Sequence, residues 1–390
     1  MNIATRQPAL IVALLLGVLL APAGTPAQTP GHVEQLERAA TLIAGGQLAE
    51  AERLLSQILR SAPDEAAALN LLGALRAKQG RLDEAEALFT RAVRSDNRLT
   101  GAHMNLAYLY LLKREPEKSA AALREVLRLE PANADAAQRL AWLLHSQGRF
   151  DECISFVEKL KQTQTLTAPV LALLADAHLK KGAAAEAVVA LKKAVELRPG
   201  EPSYHFALGA AWLRQPPDLL GAEQSFRQFL ALRPDDAQGQ LHLGYVLLKQ
   251  KRHAEARQWL ERSTAKGAGT PEAFYYLGLI AQGENEDARA IELFEKSIEL
   301  APAFAHVHVA LGSTYMKLKD YPRAQQALEA GVRLSPEDTK AHYNLAMLFA
   351  RLKNPERAQE EMRIVARLKS EGKARPEDDA GDALAPPPPR

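Results

Sequence analysis

Ten histidines and one cysteine are the residues through which this chain could do acid–base, metal or thiol chemistry. His103, His205, His308 and His342 recur at one fixed place in a repeating pattern, which points to a structural use. His306 and His308 are two apart and leave a helix on different faces. The chain has no His-Glu-x-x-His run and no Cys/His cluster at metal-ligand spacing, so no metal site is expected. Cys153 is alone, which excludes an intramolecular disulfide. It falls in a column of small residues, where a free thiol behaves as a packed core side chain. Gly-x-Ser-x-Gly, a phosphate loop and a dinucleotide fingerprint are all missing from the sequence. Acid pairs such as Asp83-Glu84 sit at helix starts, where they complement the helix dipole. No catalytic residue, cofactor or metal ligand is therefore expected, and the protein is not expected to be an enzyme.

The elements that place these residues become visible when the chain is laid against itself, because it repeats every 34 residues. Blocks start at His32, Ala66, Thr100, Ala134, Ala168, Pro202, Ala237, Pro271, Ala305 and Thr339, with one extra residue in the sixth block's loop, Arg214 to Gly221. The seventh position is Leu in every block but the first, which has Arg38. The eighth is Gly or Ala throughout, and the twentieth is always small, Cys153 included. Pro63, Pro131, Pro199, Pro234, Pro302 and Pro336 hold the thirty-second position, which Asn97, Thr165, Ala268 and Ser370 fill elsewhere. Apolar residues recur at spacings of three and four, so each block holds two amphipathic helices. The small columns mark where the two helices cross, and the Pro ends the second. Inner turns such as Gln79 to Ala85 read as Gly stopping the first helix and Asp beginning the second.

Composition agrees. Charged residues make up 25% of the chain and aromatics only 6%, with Ala and Leu, both strong helix formers, dominating the apolar set. The formal net charge of +2 is spread without a basic run, which gives no electrostatic footprint for nucleic acid.

Ten blocks in register, with Leu-Gly or Leu-Ala pairs, Tyr110 and Tyr315, Phe89 and Phe294 and the late prolines, resemble the tetratricopeptide repeat family from about residue 32 to residue 370. The resemblance implies an all-α, right-handed superhelical solenoid of antiparallel helix pairs. It implies blocks of about 32–65, 66–99, 100–133, 134–167, 168–201, 202–236, 237–270, 271–304, 305–338 and 339–370. It further implies that first helices line a concave groove for a peptide or helix of another protein. Carried over, the groove positions hold Asn70, Asn105, Tyr108, Arg139, Trp142, Asp176, His242, Tyr245, Tyr275, Tyr276, Lys340, Tyr343 and Asn344. Tyr108, Arg139 and Trp142 form one expected cluster, and Tyr245, Tyr275 and Tyr276 another, of the residue types that dominate interface energetics. Asn105 and Arg139 match part of a carboxylate-binding pattern without completing it.

The ends differ from the array. Residues 1–27 have one Arg, an apolar run from Ala9 to Ala21 and Ala21-Pro22-Ala23, the parts of a secretory signal peptide. The apolar run is shorter than the roughly 20 residues a membrane span needs, so cleavage, with export to a periplasm or the outside, is expected over an uncleaved anchor. Residues 28–31 read as a short linker and 371–390, polar and ending in four prolines, as a disordered tail. Relatives often end in a capping helix, which this tail does not resemble, so the apolar edge of the last pair is expected to be covered by a partner or by self-association. The function expected is a protein-interaction scaffold or assembly factor. The alternative is an accessory subunit of an export, envelope-assembly or glycosyltransferase system.

Overall fold

The structure, a computed structural model, describes residues 32–162, 166–214, 216–265 and 269–371. The signal peptide, the 28–31 linker, Thr165, Ala268 and residues 372–390 lie outside the described residues. The chain forms two compact units, divided between Leu197 and Arg198. The first holds α1 (Val33–Ala44), α2 (Leu48–Ser61), α3 (Ala66–Lys78), α4 (Leu82–Ser95), α5 (Thr100–Leu112), α6 (Pro116–Leu129), α7 (Ala134–Ser146), α8 (Phe150–Lys161), α9 (Ala168–Lys180) and α10 (Ala184–Leu197). The second holds α11 (Pro202–Trp212), α12 (Leu219–Leu232), α13 (Ala237–Lys249), α14 (His253–Thr264), α15 (Pro271–Gly283), α16 (Asp287–Leu300), α17 (Ala305–Lys317), α18 (Tyr321–Leu334), α19 (Thr339–Arg351) and α20 (Pro355–Ser370). Ten helix pairs in an all-α array are the fold class the sequence implied. Among the described residues no helix is long and apolar enough to cross a membrane.

In every pair but the last, where Met362 is exposed, the side chain at the twenty-fourth position of the block closes the pair. Phe89, Phe226 and Phe294 are fully buried there, as are Leu55, Leu123, Val157, Leu260 and Leu328. This sharpens the meaning of the small eighth position. A Cβ added to Gly73 would lie 2.7 Å from the Phe89 ring, and one on Gly278 would lie 2.4 Å from Phe294. The small residue seats a large side chain from the partner helix, and where the seat is Ala107 or Ala141 the occupant is the smaller Leu123 or Val157. The twentieth position can add a hydrogen bond across the crossing: Ser119 Oγ donates to Ala107 O at 2.9 Å, and Cys153 Sγ to Ala141 O at 3.5 Å.

The inner turns correct the sequence reading. Among the described residues, one residue in each of nine inner turns adopts positive φ. Gly46, Gly80, Gly148 and Gly182 do so without steric cost, but Arg114, Lys251, Asn285, Lys319 and Lys353 do so as well. Asp83 and Asp151 do not cap the second helices; they lie in the first turn after Arg81 and Arg149, whose side chains make no cap bond. Side-chain caps stand at first helices, from Asn133, Glu201, Asp236, Thr270 and Asp338, and at three second helices, from Asp218, Asp320 and Asn354.

The four histidines of the fourth position latch the turn between successive pairs. Nε2 of His103, His205, His308 and His342 lies 3.1, 2.8, 2.9 and 3.0 Å from the carbonyl oxygens of Asn97, Pro199, Pro302 and Pro336, six residues back. A carbonyl only accepts, so that nitrogen carries the hydrogen. Gln240 makes the same bond to Pro234 O at 2.8 Å.

Candidate partner-binding groove

First helices of neighbouring pairs meet through a regular contact: the ninth position of one block faces the sixth position of the next. Tyr108 meets Arg139, whose guanidinium carbon lies 4.4 Å from the ring centroid. Tyr245 meets Tyr276 at 5.3 Å between centroids. Asn344 Nδ2 donates to Ser313 Oγ at 2.9 Å. This contact decides how much of each groove residue is left for a partner.

In the first unit Tyr108 is fully buried, and its hydroxyl donates to Asp135 Oδ2 at 2.5 Å. Burial, then the Asp135 carboxylate, holds the phenol well above its ordinary pKa, so it stays a donor. Arg139 Nε donates to Asp135 Oδ1 and Oδ2 at 3.0 and 2.9 Å. One carboxylate therefore fixes both a tyrosine and an arginine. Sequence reasoning missed Asp135; its signal was the four-residue spacing to Arg139 on one helix face. The pair is partly exposed, with side chains 21% and 48% accessible, and is worth about 0.5 kcal/mol. The cation–π stack adds about 0.5–1 kcal/mol. What it secures is orientation: the guanidinium is held flat on the Tyr108 ring.

Trp142 occupies the ninth position one pair further on and is 38% exposed. The sixth position of the next block is Leu173, too small to cover an indole. Beside it Gln138 is exposed, and His145 Nε2 meets Asp176 Oδ2 at 2.5 Å. Asn70 and Asn105 are buried, joined by a bond from Asn105 Nδ2 to Asn70 Oδ1 at 2.9 Å; Asn105 Oδ1 has no hydrogen-bond partner among the described residues.

The second unit corrects the expectation of an exposed tyrosine cluster. Tyr245, Tyr275 and Tyr276 are buried, because Tyr276 packs on Tyr245 and Tyr275 packs on Phe304 at 5.2 Å. His242 is buried too, 5.0 Å from Phe206 and 5.3 Å from Phe226, with Nδ1 2.7 Å from Gln238 O. Burial pushes its pKa down and keeps it neutral. These four side chains shape the wall and offer little surface. In the last pair Lys340 is exposed, Tyr343 is 47% exposed, and Asn344 is held by Ser313.

The other chemistry-bearing groups are sequestered. Burial pushes the Cys153 thiol up to about 11, which suppresses the nucleophilic thiolate. Among the described residues no group of three or more His, Cys, Asp or Glu side chains is placed to hold a metal ion.

Family models described as tetratricopeptide repeat match residues 36–98, 218–271 and 309–372, residues 112–177 and 279–333, and residues 168–201. Interferon-induced protein with tetratricopeptide repeats 2 of Homo sapiens is 25% identical over 235 residues, 54% of this chain and 50% of that protein. Type IV pilus assembly protein PilF of Pseudomonas aeruginosa is 32% identical over 126 residues, 32% of this chain and 49% of that protein. The chain thus spans about half the length of each of these relatives. The crystal structure of the APC/C hetero-tetramer Cut9-Hcn1 superposes with a TM-score of 0.50 at 17% identity, covering 90% of this chain and 83% of that one; this likeness shows the fold alone.

Proposed function

We propose, for a chain that belongs to the tetratricopeptide repeat family, that it is a non-enzymatic interaction scaffold gripping a peptide or helix of another protein. The observation that carries this reading is Trp142. It is an indole left 38% exposed at a column whose other aromatics, Tyr108 and Tyr245, are buried. It stands on the same helix, α7, three residues after an arginine already oriented by Asp135 and Tyr108. An exposed Trp beside a fixed Arg is the side-chain pairing that concentrates binding energy in interfaces, and orienting it beforehand lowers the entropic cost of association. Tyr343 and Lys340 supply a second exposed contact point, while Asn70, Asn105, Tyr108, His242, Tyr245, Tyr275, Tyr276 and Asn344 form the supporting wall. Nucleic acid is not the partner proposed, since charge is balanced along the chain.

The finer reading is an exported assembly factor. The signal-like residues 1–27 support it, and so does similarity to a protein named for type IV pilus assembly. The test is affinity capture from the extracellular or periplasmic fraction with residues 28–390 as bait. Trp142→Ala and Arg139→Ala should each lose captured proteins that the unaltered bait retains, at unchanged helicity by circular dichroism. An identical captured set from all baits would sink the groove reading. Finding the protein in the cytosol with residues 1–27 intact would sink the export reading alone.

A further inference from the structure

Second helices are tied to the following pair by two recurring polar contacts. The eighteenth position of one block meets the fourteenth of the next. Asp83 and Asp151 accept from Lys113 and Lys181 at 2.8 and 3.0 Å, and Glu117 accepts from Gln147 at 2.9 Å. The twenty-fifth position meets the nineteenth of the next, with either polarity. Arg124 lies 3.9 Å from Glu152, Arg227 3.4 Å from Glu255, Glu261 3.1 Å from Arg289 and Glu329 3.6 Å from Arg357. In the last block these two columns fall on α20, as Glu356 and Arg363. Both are exposed, and among the described residues neither has an ion-pair partner. Met347, at the ninth position whose contact stands in the next block, is 38% exposed, and Met362 is 44% exposed.

We propose that this face is covered by α20 of a second copy of the chain, lying antiparallel to the first about a two-fold axis. The charges of the helix are their own complement. Glu356, Glu360, Arg363 and Arg367 follow one another at spacings of four, three and four, so they share one face. The two acids lie as far before the Glu361–Met362 step as the two arginines lie after it. Turned end for end, the helix sets Glu356 against Arg367 of the second copy and Glu360 against Arg363. Two-fold symmetry makes each pair twice. Within one chain the same order brings no such gain. Glu356 with Glu360, and Arg363 with Arg367, are like charges four apart, an unfavourable spacing. Arg367 meets Glu371 at the long distance of 4.0 Å.

The apolar part fits the same arrangement. Met362 stands beside the axis, where the thioethers of the two copies meet, with exposed Ala366 one turn away and exposed Pro355 two turns away on its face. Methionine and arginine are residue types that protein interfaces concentrate. The first pair of another copy fits this face less well. Stacked as a next repeat, it would bring Gly45 where Glu356 needs a donor and Glu37 against Met347. The contact therefore closes as a dimer and does not run on as a filament.

The experiment measures the mass of the full chain by light scattering and sedimentation across a wide concentration range. The unaltered chain should approach twice its single-chain mass, less readily as salt is added. Glu356→Arg/Glu360→Arg and Arg363→Glu/Arg367→Glu each turn all four ion pairs into repulsions. Each should raise the dissociation constant by about ten-fold or more, at unchanged helicity by circular dichroism. An equimolar mixture of the two variants should recover the dimer, because one then carries the four bases and the other the four acids. A single-chain mass at every concentration would overturn the proposal and leave the face to another occupant. Masses running beyond two copies would overturn it in favour of head-to-tail stacking. A dimer that both variants retain would overturn it by placing the contact elsewhere.

Discussion

The aromatic groove residues of the two units occupy the same columns and end in opposite environments. In the second unit Tyr245 is buried because the next pair places Tyr276 over it. In the first, Trp142 stays exposed because the next pair offers Leu173. Within one unit the same logic separates Tyr108, covered by Arg139, from Trp142. A column fixes which way a side chain points; the residue 31 places later in the sequence, as from Tyr108 to Arg139, fixes whether it is covered. Binding surface in such an array is therefore made by a small residue in the next repeat as much as by a large one in its own.

That contrast can be broken most severely at Tyr276. Tyr276→Ala removes a buried ring and should cost about 3–5 kcal/mol, read by hydrogen exchange in α13 and α15, since repeat arrays do not unfold in one step. Trp142→Ala should cost under about 1 kcal/mol, because its ring is only partly buried. Equal losses would erase the distinction between the two clusters. Next in size is Gly278→Ala, whose added methyl meets Phe294 and should cost about 1–3 kcal/mol. A second change, Phe294→Leu, should recover part of it, because Ala107 already sits with Leu123 at those columns.

The sharpest test is conversion of one unit into the other. Leu173→Tyr should bring a ring over Trp142, shift its emission to the blue in a Trp212→Phe/Trp259→Phe background, and weaken partner capture. The stability gain should be about 0.5–1.5 kcal/mol, the range for an aromatic pair. An unshifted spectrum would mean that the ninth-to-sixth contact does not operate at this junction. Of similar size, Ser313→Ala removes the polar version of the same contact and should destabilise α17–α19 by about 0.5–1.5 kcal/mol, read by hydrogen exchange.

The helix pairs, their count and the small columns were legible because each follows from a period that one chain displays against itself. Cys153 and the histidine column were readable as structural for the same reason. Exposure was not legible, since it depends on a pairing between positions in different repeats that periodicity aligns but does not size. The tyrosines at 245, 275 and 276 looked like a surface for this reason, and Asp135, the residue that fixes Arg139, went unnoticed. The inner turns misled in another way. Gly marks a left-handed residue only in some of them, and Arg114, Lys251, Asn285, Lys319 and Lys353 adopt the same conformation with side chains that give no such signal.

The latch across the outer turns has a consequence for which residues its column can hold. Where Gln240 does the work of a histidine, the work is donation of one hydrogen to a carbonyl. The joint asks its fourth-position residue for one N–H at the right reach, which an imidazole and a carboxamide both supply. His342 faces a second partner, Glu361, with Nδ1 at 2.6 Å, and so ties its joint to α20 as well. The column is interchangeable in residue type because it is fixed in geometry.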